Sequence, residues 1–475
     1  MENLVIDTNM DIVNTQNLRR TVLAIAWPAV LRTSLNMAVQ MVDLIMVGSL
    51  GAISIAAVGL GNQVFFFSVA VVQAFSIGTA AFVAQAVGRN DQEAAKKVAA
   101  QSLGAVLLTT LLLSIFAFIF SRQIIHGLVY FMAEKDQELI SLAAGYLGII
   151  SISISMRFTI IIVNAIFQGA GNTRIPLYLM TATNLINILG NYLLIFGIGP
   201  FPALGVKGAA LATCGAGILT GVVGISLLFT RFSPVRLELN IKDLFHFERT
   251  VLLRVLNVGV PSAIEQVGIH ASNIIYSMAA AALGSLAIAA HQILHNAYMM
   301  TYLPGLGFSI TAITLVGQFL GAGKNEQALH SGKETARMAL LIMSVVGVVF
   351  FFFPEAVISI FTGDTEVIGL GKLPLMLLAL GQPAIAYISA LTGGLRGAGD
   401  TRWAMYLTLF TMLCLRLLLT FLFMWLGWGL TGIWLAALVE LCFRSISFLW
   451  RFRKIIPQTA SLFEQTAPEK DPSGF

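Results

Sequence analysis

Charge is scarce in this chain: only 11% of its 475 residues are Asp, Glu, Lys or Arg, against roughly 25% in a soluble domain. A water-facing globule of this size is excluded. Cysteine is scarce too, and the three present, Cys214, Cys414 and Cys442, sit inside apolar runs with neither metal-ligand spacing nor an even-numbered disulfide framework. They read as small core residues. The chain also lacks a Walker motif, a nucleophile elbow, an HExxH zinc motif and a DDxxD-type acidic cluster. ATP hydrolysis within the chain is therefore excluded, and no catalytic residue, metal site or organic cofactor is expected. Gly169-Ala-Gly171 neither follows a strand nor adjoins a Lys-Ser/Thr pair, so a phosphate-binding loop has no support. No cleaved signal peptide is expected, because about twenty mostly polar residues precede the first apolar run.

What fills the chain is apolar sequence: 57% of residues, with a mean hydropathy of +0.86. A membrane-crossing helix needs about 20 largely apolar residues, and windows of that length predict twelve: 21–47, 52–84, 98–120, 139–165, 175–199, 206–230, 251–282, 286–320, 335–353, 366–395, 403–427 and 430–450. Lys and Arg number 12 in the breaks after even-numbered spans, Arg396 and Arg402 after the tenth among them, and 2 in the breaks after odd-numbered spans. Positive loops stay inside, which puts both termini in the cytoplasm and the chain in the cytoplasmic (inner) membrane. The excess of five positive charges is then a topology signal and a contact with anionic lipid headgroups; nucleic acid is not an expected partner.

The chain repeats itself. Adding 233 carries Pro28 to Pro261, Gly51 to Gly284, Phe75-Ser-Ile77 to Phe308-Ser-Ile310 and Gln85 to Gln318. Farther on, Gly169-Ala-Gly-Asn-Thr-Arg174 returns as Gly397-Ala-Gly-Asp-Thr-Arg402. Six spans per half keep both halves in one orientation, so the repeat is parallel. The expected fold is an all-α membrane protein of twelve transmembrane helices in two six-helix lobes: N-terminal segment 1–20, N-lobe 21–230, linker 231–250, C-lobe 251–450 and C-terminal tail 451–475. Duplicated lobes in secondary transporters bind substrate at their interface and rock to give alternating access.

Ionisable groups inside spans are functional candidates, since each costs at least about 2.5–3.5 kcal/mol to insert. Arg32, Asn36, Gln40 and Asp43 share one face of the first span; their repeat partners are Glu265, Ile269, Asn273 and Tyr276. Asn184, Asn187 and Asn191 share a face of the fifth span, and with Asp43 and Thr213 they offer a hard cation such as Na⁺ an oxygen-lined site. Asp43 alone as a proton carrier is the alternative, and interhelical hydrogen bonding without a ligand is the bland one. Glu265 lies about 14 residues into the seventh span, roughly 20 Å deep, where an Arg32–Glu265 pair is expected to make and break. His291 and His295, at i and i+4, are too few for a metal and line a cleft; His270 reads as packing, and Glu440 with Arg444 as a local ion pair.

Val42-Asp-Leu-Ile-Met-Val-Gly48, Gln168-Gly-Ala-Gly-Asn-Thr-Arg174, Gly205-Val-Lys-Gly-Ala-Ala-Leu-Ala212 and Leu395-Arg-Gly-Ala-Gly-Asp-Thr-Arg402 resemble the multidrug and toxic compound extrusion (MATE) transporters over residues 20–455. The resemblance implies a V-shaped pair of lobes and an antiporter that exports amphipathic or cationic organic compounds in exchange for Na⁺ or H⁺. It places Asp43, Asn187 and Thr213 in an N-lobe cation site, with Asn191 standing where many relatives have aspartate, and Glu265 in a C-lobe site of NorM-type members. Those members also use an aspartate in the tenth span, and Gln382–Ser389 here contains none. Arg32, Asn36, Gln40, Asn184, Asn273, Tyr276, His291 and His295 are the expected cleft lining. The partners are small-molecule substrates and membrane lipids, and a monomer is expected to suffice. Two other readings stand beside this one. A lipid-linked saccharide flippase of the wider superfamily would need a strongly basic cavity; an intramembrane polyprenyl-phosphate transferase would need the acidic metal cluster that is absent.

Overall fold

The computed structural model describes residues 17–129, 136–230, 233, 244 and 247–459; most of the expected N-terminal segment and inter-lobe linker, and the end of the tail, lie outside them. Among the described residues every regular element is helical, as hydrocarbon demands of a backbone that must satisfy its own polar groups. The helices are α1 (Leu18–Gly48), α2 (Ala52–Gly88), α3 (Gln92–Ile119), α4 (Ser121–Leu128), α5 (Gln137–Ser151), α6 (Ile154–Gly169), α7 (Arg174–Phe196), α8 (Val206–Leu228), α9 (Arg249–Ala281), α10 (Ser285–Gly321), α11 (Asn325–Phe352), α12 (Pro354–Ser359), α13 (Thr365–Ala398), α14 (Thr401–Phe410), α15 (Arg416–Trp425) and α16 (Gly429–Ile455). A π turn, Thr411–Leu415, joins α14 to α15.

Among the described residues ten spans are long and apolar enough to cross a membrane, and the pair α5 and α6, bent by 54° at a short break, makes eleven. The remaining expected span, 251–282, coincides with α9, whose 33 residues are ample in length but include Arg249, Arg254 and Glu265. Outward faces carry large apolar side chains such as Ile45, Leu112, Leu341 and Trp425, a disposition suited to lipid.

The repeat is visible element by element. Helices α2 and α10 are each 37 residues and start 233 positions apart; α3 and α11 are each 28 residues at the same offset. Asp136 accepts from the backbone N–H groups of Glu138 and Leu139 at the start of α5, and Asp364 does so from Glu366 and Val367 at the start of α13. Such a cap satisfies amides that have no partner within the helix and contributes about 1 kcal/mol. Asp364→Ala is accordingly expected to lower the thermal unfolding midpoint of the solubilised protein by an amount equivalent to about 1 kcal/mol, with helicity unchanged.

The described chain divides into two compact units. One comprises residues 34–83 and 91–256; the other comprises the start of α1 to Thr33, residues 84–90, and everything from Asn257 onward. Within the second unit the ends of α2 and α10 meet backbone to backbone. A Cβ on Gly88 would sit 2.0 Å from the Gln318 carbonyl oxygen, and one on Gly321 would sit 2.1 Å from that of Gln85. The two contacts map onto each other under the repeat, and only glycine permits so close an approach.

Candidate functional site

In the first unit, α1, α7 and α8 bring four of the expected residues together. Asn191 Nδ2 donates to Asp43 Oδ1 at 2.8 Å. In the orientation that satisfies both of its neighbours, the Asn187 amide nitrogen faces the same carboxylate at 2.9 and 3.2 Å while its oxygen accepts from Thr213 Oγ1 at 3.0 Å. Spacing of i and i+4 on α7 is what lets two amides converge on one acid. Both asparagines are buried, whereas Asp43 is half-buried. Asn191 Oδ1 is buried without a hydrogen-bond partner. An orphaned oxygen beside a carboxylate suits a cation or a proton donor. Asn184, one turn earlier, has its own buried, unpartnered Nδ2 and does not join the cluster; half-buried Asn36 and exposed Gln40 form no hydrogen bond to it among the described residues.

In the second unit, Glu265 on α9 is fully engaged. Arg396 Nη2 donates to one oxygen and Thr408 Oγ1 to the other, each at 2.9 Å, and the side chains of Glu265 and Arg396 are 3% and 8% exposed. The expected Arg32–Glu265 pair is not formed in this conformation: the partner of Glu265 is Arg396, while Arg32 Nε is buried without a hydrogen-bond partner. The structure also moves Arg396 from the loop after the tenth span into the last turn of α13. An arginine so buried must find an acid, and Glu265 supplies it.

A cavity of about 90 Å³ opens beside this pair, lined by Glu265, Asn273, Tyr276, His291 and His295 together with Arg396, Arg416 and Arg444. His291 packs 5.6 Å from Trp434, ring centre to ring centre, and its Nε2 is 3.4 Å from Ser277 Oγ. The Tyr276 hydroxyl donates to the Met412 carbonyl in the π turn, and the Arg416 guanidinium lies 3.9 Å above the Tyr276 ring centre. Arg32, Asn36 and Gln40 are not part of this lining.

A profile of the MatE family matches residues 28–193 and 261–422. The chain belongs to the MATE family of transporters. The two matched stretches of the MATE profile begin 233 positions apart, as the internal repeat does. A probable multidrug resistance protein NorM of Thermotoga maritima is 32% identical over 90% of both chains, and an uncharacterised transporter, YisQ, of Bacillus subtilis is 26% identical over 91% of this chain and 94% of its own. A solved structure described as the outward-facing conformation of a multidrug resistance MATE family transporter of the MOP superfamily shares the fold, with a TM-score of 0.84 at 23% identity over 94% of this chain and 97% of that one. As a MATE protein the chain is a multi-pass membrane transporter and not an enzyme.

Two participants in these two MATE sites escape sequence reading. Arg396 lies in a motif that reads as a turn and Thr408 is one hydroxyl among many, whereas Arg416 is legible as a charge inside the eleventh span. Of the two that escape, Arg396 alone carried a strong signal: a basic residue at the edge of an apolar run, with Glu265 in need of a partner.

Proposed function

We propose that this MATE protein is a secondary active antiporter of the cytoplasmic membrane that exports amphipathic organic compounds, cationic ones included, in exchange for Na⁺ or H⁺, with both termini cytoplasmic. The observation that carries the coupling role is the convergence of Asn187, Asn191 and Thr213 around Asp43, with Asn191 Oδ1 left unpartnered. A cation or proton arriving from outside neutralises Asp43 and biases the carrier toward the state that returns inward; substrate biases it back, each by its differential affinity for the two states. Glu265 is held by Arg396 and Thr408, which favours Asp43 as the coupling acid and gives Glu265 a fixed place in the cavity wall.

The names of the NorM-type relatives support drug-like substrates. The counts of Lys and Arg along the chain support the orientation even with Arg396 removed from the loops. Proteoliposomes loaded with a fluorescent amphipathic dye and given either a Na⁺ gradient or a pH gradient test the proposal. Export driven by one of the two is expected; identical dye loss with both gradients and with neither would sink it.

A further inference from the structure

We infer that the cavity of the second unit recognises an anionic group, a carboxylate on an aromatic or amphipathic body, and that Arg416 is the residue that receives it. The inference rests on the transporter reading above and specifies the chemistry of one of its substrates.

Three arginines and one carboxylate line the cavity. Arg396 is taken by Glu265, and Arg444 Nε stands 3.0 Å from Glu440 Oε1. Arg416 is left over: among the described residues it forms no ion pair, and its Nε is buried without a hydrogen-bond partner. With Glu440 counted, the three arginines outnumber the carboxylates by one. A guanidinium stays charged at any physiological pH and its planar fork matches a carboxylate.

Arg416 is also held in place, in two ways. Its face rests on Tyr276, a cation–π contact that leaves the N–H edge free to donate. Tyr276 is itself fixed by its hydroxyl bond to Met412, inside the π turn that ends immediately before Arg416. π turns interrupt α-helices mostly at functional positions. Nearby, Tyr298 and Tyr302 stack 5.6 Å apart in the lining and offer aromatic surface to the rest of a ligand. At about 90 Å³ the space takes a small acidic head with part of its ring.

The test is a ¹⁹F NMR titration of the detergent-solubilised full chain, corrected for empty micelles, with 4-fluorobenzoate, 4-fluorobenzamide and 4-fluorobenzylammonium. The carboxylate is expected to bind about tenfold more tightly than the amide, as a charge-assisted hydrogen bond implies, and the ammonium more weakly than either. Arg416→Gln should remove the preference while leaving amide affinity in place, and Arg416→Lys should keep part of it. Equal binding of the three probes by the unaltered protein, or a preference that survives Arg416→Gln, would overturn the inference. If Arg416→Gln is not recovered folded, the unaltered protein and Arg416→Lys decide the matter. The titration needs no ion gradient, so its failure is separate from a failure of driven export.

Discussion

Asp43→Asn is expected to reduce gradient-driven export to the level of protein-free vesicles while membrane insertion and extraction yield stay normal. The substitution keeps the shape of the side chain and an oxygen that can accept from Asn191, so the seam between α1 and α7 retains its packing. What it removes is the charge. Asn187, Asn191 and Thr213 are neutral and cannot themselves bind a proton near neutral pH or attract a monovalent cation strongly. The variant should therefore still bind substrate in detergent yet ignore an imposed gradient. Export and binding must be measured on the same preparation, because a misfolded variant would lose both. Near-normal driven export by Asp43→Asn would end the role assigned to it.

A second large effect is expected at Glu265 and Arg396. Arg396→Gln leaves a carboxylate that is 3% exposed with only the Thr408 hydroxyl as partner, and breaking a buried ion pair in this way costs about 3–5 kcal/mol. Glu265→Gln strands the arginine and should cost a similar amount. The double variant Glu265→Gln, Arg396→Gln places two neutral amides where two charges stood and should regain most of the lost stability, since desolvating the pair offsets much of its attraction. Thermal unfolding of the solubilised protein with the two singles and the double completes the cycle. Singles as stable as the unaltered chain, or a double that loses the full sum, would contradict the pairing.

Much of this architecture is legible in the chain because a membrane imposes simple rules. Apolar runs bounded by Gly199-Pro200 or Arg89-Asn90 mark helix ends, and offsets of 233 residues relate α2 to α10 and α3 to α11. The cluster at Asp43 was legible for a related reason: Asn187 and Asn191 declare a common face by their spacing, and a carboxylate in the first span needs company. Which acid meets which arginine is not written in any period. Glu265 and Arg396 are 131 positions apart, and their meeting depends on how α9 crosses α13. The π turn is equally silent, because Thr411–Leu415 reads as ordinary apolar helix.

The cluster in the first unit has a single carboxylate, since Asn191 is neutral. It carries one negative charge when empty and none once a proton or a monovalent cation is bound. A membrane potential does work of about 2.3 kcal/mol per elementary charge per 100 mV. With the charge of Arg157 acting on Asp43, the loaded and empty clusters still differ by one elementary charge, so that under the proposed cycle voltage alone, with no difference in ion concentration, would bias which side of the membrane the carrier faces.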